Sequence, residues 1–283
     1  MIKLISPNFS DIFEPNIEVG VFPDRDSHIR IPQIEEVKGK DVTIFHRLYP
    51  KQNTDLIVLL FILDAVKKAG AKNIFAVCPY LPYARQDKLK LEGEILAAKS
   101  LCRILKTSGL DKLITFDCHF LNQTGLVEHE DLKIENISLG QDLVAHAKQL
   151  FNGESFEIIG PDDGSKYLVE AHGGKALKKA RKEYEGAKIA HRDVHEVAGE
   201  VDVKNKNVLI LDDIISSGST MVKCLQKISA GGAKKIACAT THGLFLFDCL
   251  DKMKQYTDQI FSSDSIPNSL AKVSIEEHLK KLI

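Results

Sequence analysis

The chain has almost no net charge: 38 Lys and Arg stand against 39 Asp and Glu, a balance of −1. It therefore lacks the long-range field that would draw in DNA, RNA or an anionic membrane, and any anionic ligand must be held by local donors. Cysteine is present but unpatterned. The six residues, Cys78, Cys102, Cys118, Cys224, Cys238 and Cys249, show no CxxC or metal-finger spacing. Several lie in apolar runs, where a thiol packs as a small hydrophobe, and they read as the reduced thiols of a cytoplasmic protein. Glycine (18) and proline (9) are too scarce for a fibrous or low-complexity chain. Long apolar runs are missing too. The longest, Leu56–Leu63, stops at Asp64, far short of the ~20 residues that a membrane span needs. The opening MIKLISPNFSDIF has no basic stretch followed by a long apolar one, so neither a membrane span nor a secretion signal is expected.

What remains is an ordinary globular composition, 44% hydrophobic and 27% charged, over 283 residues. That length is roughly twice a typical domain. Short β-rich runs alternate with amphipathic helical stretches almost to the end, which predicts an α/β fold with mostly parallel sheets. DVTIFH (41–46), IFAVC (74–78) and LITF (113–116) read as strands, with helices over 53–69 and from about 94 to 107 between them. Asn53 or Thr54 is the expected N-cap of the first helix and Gly70 its stop. The second half continues the alternation, with a helix near 142–150, strand FEIIG, turn PDDG, a helix from Ser165, strand NVLIL, turn DDIISSGST, a helix and strand KIACATT. Domains of 1–152 and 153–283 are expected. LDAVKKAGAKNIFAVCPY in the first half echoes LQKISAGGAKKIACATTH in the second, about 160 residues apart, as related halves would.

The sharpest chemistry lies in LILDDIISSGSTM (209–221), where an apolar strand delivers Asp212 and Asp213 to its carboxyl end, the ligand edge of open α/β sheets. Ser216, Ser217, Gly218, Ser219 and Thr220 follow as small residues whose backbone N–H groups can curl around a phosphate as the next helix begins. Acids beside a phosphate cradle suit a sugar phosphate, whose hydroxyls donate to the carboxylates while its phosphate takes the N–H groups.

This segment resembles the phosphoribosyl-diphosphate loop shared by type I phosphoribosyltransferases and ribose-phosphate pyrophosphokinases. PYLPYARQDK (79–88) separates the two. Its prolines, Tyr80, Tyr83, Arg85, Gln86, Asp87 and Lys88 form a loop able to stack on a flat ring and contact phosphates. It resembles the ATP loop of the pyrophosphokinases, although a basic surface loop would look similar. FPDRDSHIRI (22–31) is similar to that family's N-terminal segment, which places Phe22, Asp24 and Asp26 toward the adenine of an ATP bound largely by a neighbouring subunit. TFDCH (115–119) sets Asp117 and His119 at a strand end; the resemblance makes His119 a ligand of the Mg2+ that accompanies ATP, with Asp117 beside it. GPDDGSK (160–166) adds Asp162 as a metal or ribose contact, or is an ordinary Asp-Gly turn.

The resemblance runs from about residue 20 to the terminal KVSIEEHL and matches the shorter form found in archaea. It implies two similar phosphoribosyltransferase-like domains, each a mostly parallel sheet flanked by helices. It also implies a cytoplasmic homo-oligomer that transfers the diphosphoryl group of Mg-ATP to the anomeric hydroxyl of ribose 5-phosphate, releasing AMP. No nucleic-acid or membrane partner is expected. One segment departs from the pattern. The family's mobile catalytic loop carries a Lys followed two residues later by an Arg, whereas here Lys182 is followed by Tyr184. Lys188 and Arg192 are the cations able to compensate. Two rivals stay open: a phosphoribosyltransferase, for which Arg85 would matter little, and a catalytically silent regulatory homologue, which Tyr184 would suit.

Overall fold

The computed structural model describes residues 1–89, 91–180, 196–198 and 201–282, which divide into two compact units, Met1–Ile137 and Ser138–Ile283.

The first unit opens with β1 (Ile2–Ile5), the hairpin β2 (Glu18–Val21) and β3 (Ser27–Arg30), then β4 (Asp41–Phe45), helix α1 (Gln52–Lys68), β5 (Asn73–Val77), α2 (Ala97–Thr107) and β6 (Lys112–Phe116). β7 (Gly125–His129) and β8 (Leu132–Ile137) close it. Its sheet has the order β1-β4-β5-β6-β8-β7, parallel except for the β7–β8 pair. On α1, Val58, Leu59, Ile62, Leu63 and Val66 face the core, the three-to-four-residue spacing of an amphipathic helix. The helix begins one residue before the expected cap, with Lys51 at the N-cap and no side-chain cap bond. Asn53 is committed elsewhere, because its Oδ1 accepts from the Tyr83 hydroxyl.

The second unit contains α3 (Gly140–Leu150), β9 (Phe156–Gly160), α4 (Lys166–Glu170), β10 (Lys175–Ala176), β11 (Lys178–Ala180), β12 (Glu196–Ala198), β13 (Asn207–Ile215), α5 (Ser219–Ala230), β14 (Lys235–Gly243), α6 (Cys249–Lys254), β15 (Ile260–Ser263), β16 (Ala271–Val273) and α7 (Glu276–Lys280). Its main sheet runs β10-β9-β13-β14-β15-β16, all parallel, and β11 pairs antiparallel with β12. The units therefore share a five-strand parallel core, β1-β4-β5-β6-β8 in one and β9-β13-β14-β15-β16 in the other.

The echo between the halves survives as matching hydrogen bonds. Gly70 and Gly232 both take positive φ, +84° and +78°, to end α1 and α5, the left-handed stop that glycine adopts most readily. Ala71 donates to the Val66 carbonyl as Ala233 does to Ile228, and Lys72 donates to Lys40 as Lys234 does to Lys206.

The division after Ile137 corrects the boundary expected at residue 152. Helix α3 buries Leu143 and Ala147 and packs against β14 and β16, so it belongs with the second sheet. All six cysteines are buried and unbridged. Among the described residues no helix is long and apolar enough to cross a membrane.

Candidate active site

In the second unit, β13 is buried along its whole length and runs on to Ile215, so Asp212 and Asp213 lie inside the strand and not beyond it. Only 8% of Asp212 and 2% of Asp213 is exposed. Two acids tolerate this because each meets local backbone: Asp213 N–H donates to Asp212 Oδ1 at 3.0 Å, and Ile214 N–H to Asp213 Oδ1 at 2.9 Å. Burial pushes the Asp212 carboxyl well above the usual carboxylate range, and the nearby charges of Asp213 and Asp162 push it further. Asp162 is thereby brought into the group. It stands at the end of β9, and its Oδ1 accepts from Gly164 N–H at 2.8 Å. The turn is thus the expected Asp-Gly turn, with a carboxylate within electrostatic reach of Asp212.

After β13 the chain bends through Ser216, Ser217 and Gly218 into α5. Gly218 is the N-cap, with φ +75°. A Cβ built there would lie 2.4 Å from Cys249 Sγ, so the position excludes a side chain on two grounds. Ser217 and Ser219 bring their hydroxyl oxygens to 3.4 Å from each other, and Ser216–Thr220 are partly exposed except for buried Gly218. The segment after β14 clamps the bend: Leu244 and Phe245 donate to the Ile215 carbonyl and Leu246 to that of Ser216. The result is a rigid helix start, which carries partial positive charge and N–H donors without acceptors in their own helix.

In the first unit, residues 79–88 leave the carboxyl end of β5, and Asp117 and His119 leave that of its neighbour β6. The two segments are tied together: Phe116 N–H and the Thr115 hydroxyl both donate to the Pro79 carbonyl at 3.2 Å. Asp117 is fully buried with φ +33°, and its N–H bonds Ile137; His119 is half-buried. Arg85, Gln86 and Lys88 are exposed and Asp87 is half-buried. Of the two expected stacking rings only Tyr83 is available. Tyr80 is buried edge-on against Tyr49, with ring centroids 6.0 Å apart, because the loop's first turn folds into the core. Phe22, Asp24 and Asp26 sit at the β2–β3 turn, held by local bonds such as Asp26 N–H to Asp24 Oδ1 and Phe22 N–H to the Asp26 carbonyl. Phe22 stays 49% exposed.

Lys182, Tyr184, Lys188 and Arg192 lie outside the described residues. Two contributors were not anticipated. Asn136 accepts from Cys118 N–H and donates to the Gln123 carbonyl, shaping the turn around His119. Cys249 is the wall behind Gly218.

The N-terminal domain model of ribose phosphate pyrophosphokinase matches residues 11–109, and the phosphoribosyl transferase domain model matches residues 141–276. A ribose-phosphate pyrophosphokinase of Pyrococcus abyssi is 31% identical over 94% of this chain and 90% of its own length. The chain belongs to the ribose-phosphate pyrophosphokinase family. The ribose-phosphate pyrophosphokinase of Sulfolobus acidocaldarius is also 31% identical, over 92% of this chain and 87% of its own. For that of Mycoplasma genitalium the match, 30% identical over 87% of this chain, spans 74% of the relative, so the short archaeal form is the better match in length. The fold agrees with the crystal structure of phosphoribosylpyrophosphate synthetase from Mycobacterium smegmatis, with a TM-score of 0.81 at 21% identity over 99% of this chain and 96% of the other. Membership in the pyrophosphokinase family accounts for one chain carrying both the residue 79–88 loop and the residue 212–220 bend, a combination that the transferase reading left unexplained.

Proposed function

We propose that the chain is a ribose-phosphate diphosphokinase, which moves the diphosphoryl group of ATP to the anomeric hydroxyl of ribose 5-phosphate and releases AMP. The observation that carries this reading is the buried pair Asp212–Asp213 leading into the glycine-capped bend, in a chain of the pyrophosphokinase family. Ribose 5-phosphate sets its phosphate on the N–H groups of residues 216–220 and its ring hydroxyls on Asp212 and Asp213. A hydroxyl donating to a buried carboxylate offsets the desolvation that, ahead of the Asp213 and Asp162 charges, raises the Asp212 pKa. Arg85, Gln86, Asp87 and Lys88 hold the nucleotide together with the Phe22, Asp24 and Asp26 turn. Lys182, Lys188 and Arg192 supply cations to the transferring group, and catalysis is positioning plus charge neutralisation in an in-line displacement.

Mg2+ belongs to this proposal. Among the described residues no group of three or more His, Cys, Asp or Glu side chains gathers as a metal cage. The proposed donors, Asp117 and His119 at the end of β6 in the first unit and Asp162 in the turn after β9 in the second, are of a kind that suits a hard cation keeping most of its waters. When bound, the ion neutralises the phosphate oxygens. A homo-oligomer is also proposed, supported by Val21, Phe22, Ile57 and Phe61, large apolar side chains left exposed on the hairpin and α1. A cytoplasmic location is supported by six buried unbridged thiols.

The test is AMP release from Mg-ATP with and without ribose 5-phosphate. Sugar-dependent AMP with stoichiometric phosphoribosyl diphosphate is expected. AMP release that ignores the sugar, or tight substrate binding without turnover, would contradict the reading, the latter favouring the silent homologue that Tyr184 keeps in view.

A further inference from the structure

Beside Asp212 lies a polar side chain that the proposed chemistry has not used. Thr240, on β14, is the ladder partner of Asp212 on β13, and Ser262 on β15 is the partner of Thr240 on its other side. Directly paired residues of a parallel sheet point to the same face. Asp212, Thr240 and Ser262 therefore form one row across three strands, on the face that α5 covers: Ile210 and Cys238, two positions earlier on β13 and β14, pack there with Met221 and Cys224. The outer end of the row is satisfied, since Asn268 Nδ2 donates to Ser262 Oγ at 2.9 Å. Its middle is not. Thr240 is fully buried and its Oγ1 has no hydrogen-bond partner. A buried hydroxyl without a partner is destabilising compared with a methyl of the same shape, so valine would serve the fold itself at least as well.

We infer that Thr240 is a positioning residue: with ribose 5-phosphate bound, its hydroxyl donates to the Asp212 carboxylate and fixes the rotamer in which that carboxylate meets the sugar's hydroxyls. The inference rests on the proposed sugar site and adds a residue to it. Thr240 acts only through Asp212, because its own burial keeps it from the sugar. Asp213 N–H already holds one Asp212 oxygen, Oδ1, at 3.0 Å. The Thr240 hydroxyl holds the carboxylate from the neighbouring strand and leaves its remaining lone pairs to the sugar. A valine there leaves Asp212 free to turn, which weakens sugar binding and spares the nucleotide.

The experiment compares the full-length wild type with Thr240→Val and Thr240→Ser by calorimetric titration of ribose 5-phosphate, by steady-state AMP release and by urea unfolding. Thr240→Val is expected to weaken ribose 5-phosphate binding about tenfold, the effect of one hydrogen bond to a charged group. The KM for ATP should stay at the wild-type value, and the unfolding midpoint should equal or exceed that of the wild type. Thr240→Ser, which keeps the hydroxyl, should bind the sugar like the wild type. Wild-type sugar affinity in Thr240→Val overturns the inference, as does a loss in Thr240→Val that Thr240→Ser shares. Wild-type binding of the sugar without sugar-dependent AMP release overturns the diphosphokinase reading instead, and the binding contrast among the three proteins still decides the role of Thr240.

Discussion

Replacing Gly218 by alanine imposes two separable penalties. The backbone at φ +75° is left-handed, and an alanine held there loses about 1 kcal/mol relative to glycine. The added Cβ also lies 2.4 Å from Cys249 Sγ; relieving that overlap by moving helix α6 or the bend should destabilise by roughly 1–3 kcal/mol more. Gly218→Ala should therefore lose about 2–4 kcal/mol in urea unfolding of the full-length protein. Cys249→Ala alone, which deletes one buried sulfur, should lose about 1 kcal/mol. The double variant is the informative one: the new methyl enters the space that the sulfur leaves, so only the backbone penalty of about 1 kcal/mol remains. The cycle then shows a favourable coupling of about 2 kcal/mol or more. Additive losses, or a Gly218→Ala protein as stable as the wild type, would refute both the left-handed cap and the packing of Cys249 behind it. Ribose 5-phosphate affinity should follow the same pattern, falling at least tenfold in Gly218→Ala and recovering in part in the double variant.

Asp212→Asn should abolish sugar-dependent AMP release while leaving the fold at least as stable, because burial, Asp213 and Asp162 all oppose the Asp212 charge. The folded pKa of Asp212 is raised, so the folded state holds a proton that the unfolded state loses as pH rises past the ordinary aspartate value of 3.8. Wild-type stability should thus fall relative to Asp212→Asn as pH rises above that value, a difference read from paired urea midpoints. His46 has the opposite sign: burial lowers its pKa from 6.5 to about 4, with its ring nitrogens 2.8 Å from Ser6 Oγ and 2.9 Å from the Asp55 carbonyl. The unfolded state gains that proton first, so about 3 kcal/mol of stability should drain away as pH falls through this window. His46→Gln should flatten the acid limb of the stability profile, and an unchanged limb would refute the assignment. Arg85→Ala should raise the KM for ATP at least tenfold and leave calorimetric ribose 5-phosphate binding unchanged, since Arg85 stands in the exposed loop of the first unit.

Local chemistry was legible in the sequence where one segment carries it. The paired acids, the small-residue bend and the start of the helix behind it all lie within residues 209–221; the bend and helix fold as that order suggests, while the strand runs on through the acids to Ile215. The echo of the two halves was legible because a helix stop at glycine and the strand after it are both local, and Gly70 and Gly232 keep the same left-handed turn. Contacts between distant positions were hidden. The apolar face of α3 announces a helix, but not which sheet it covers, and the boundary moved accordingly to Ile137. Tyr80 and Tyr83 look alike in the string, yet the first packs on Tyr49 and only the second stays exposed. Nothing about Cys249 links it to Gly218 until α6 is folded against the bend. Thr240 became informative only through the ladder register that sets it opposite Asp212.

The most direct check is crystallographic density for ribose 5-phosphate soaked into the protein. The phosphate is expected on the main-chain amides of Ser216–Thr220 and the ring hydroxyls on Asp212 and Asp213, with the anomeric oxygen open to solvent. Sugar seated at any other place, or a different molecule holding that bend when the sugar is present in excess, would contradict the assignment.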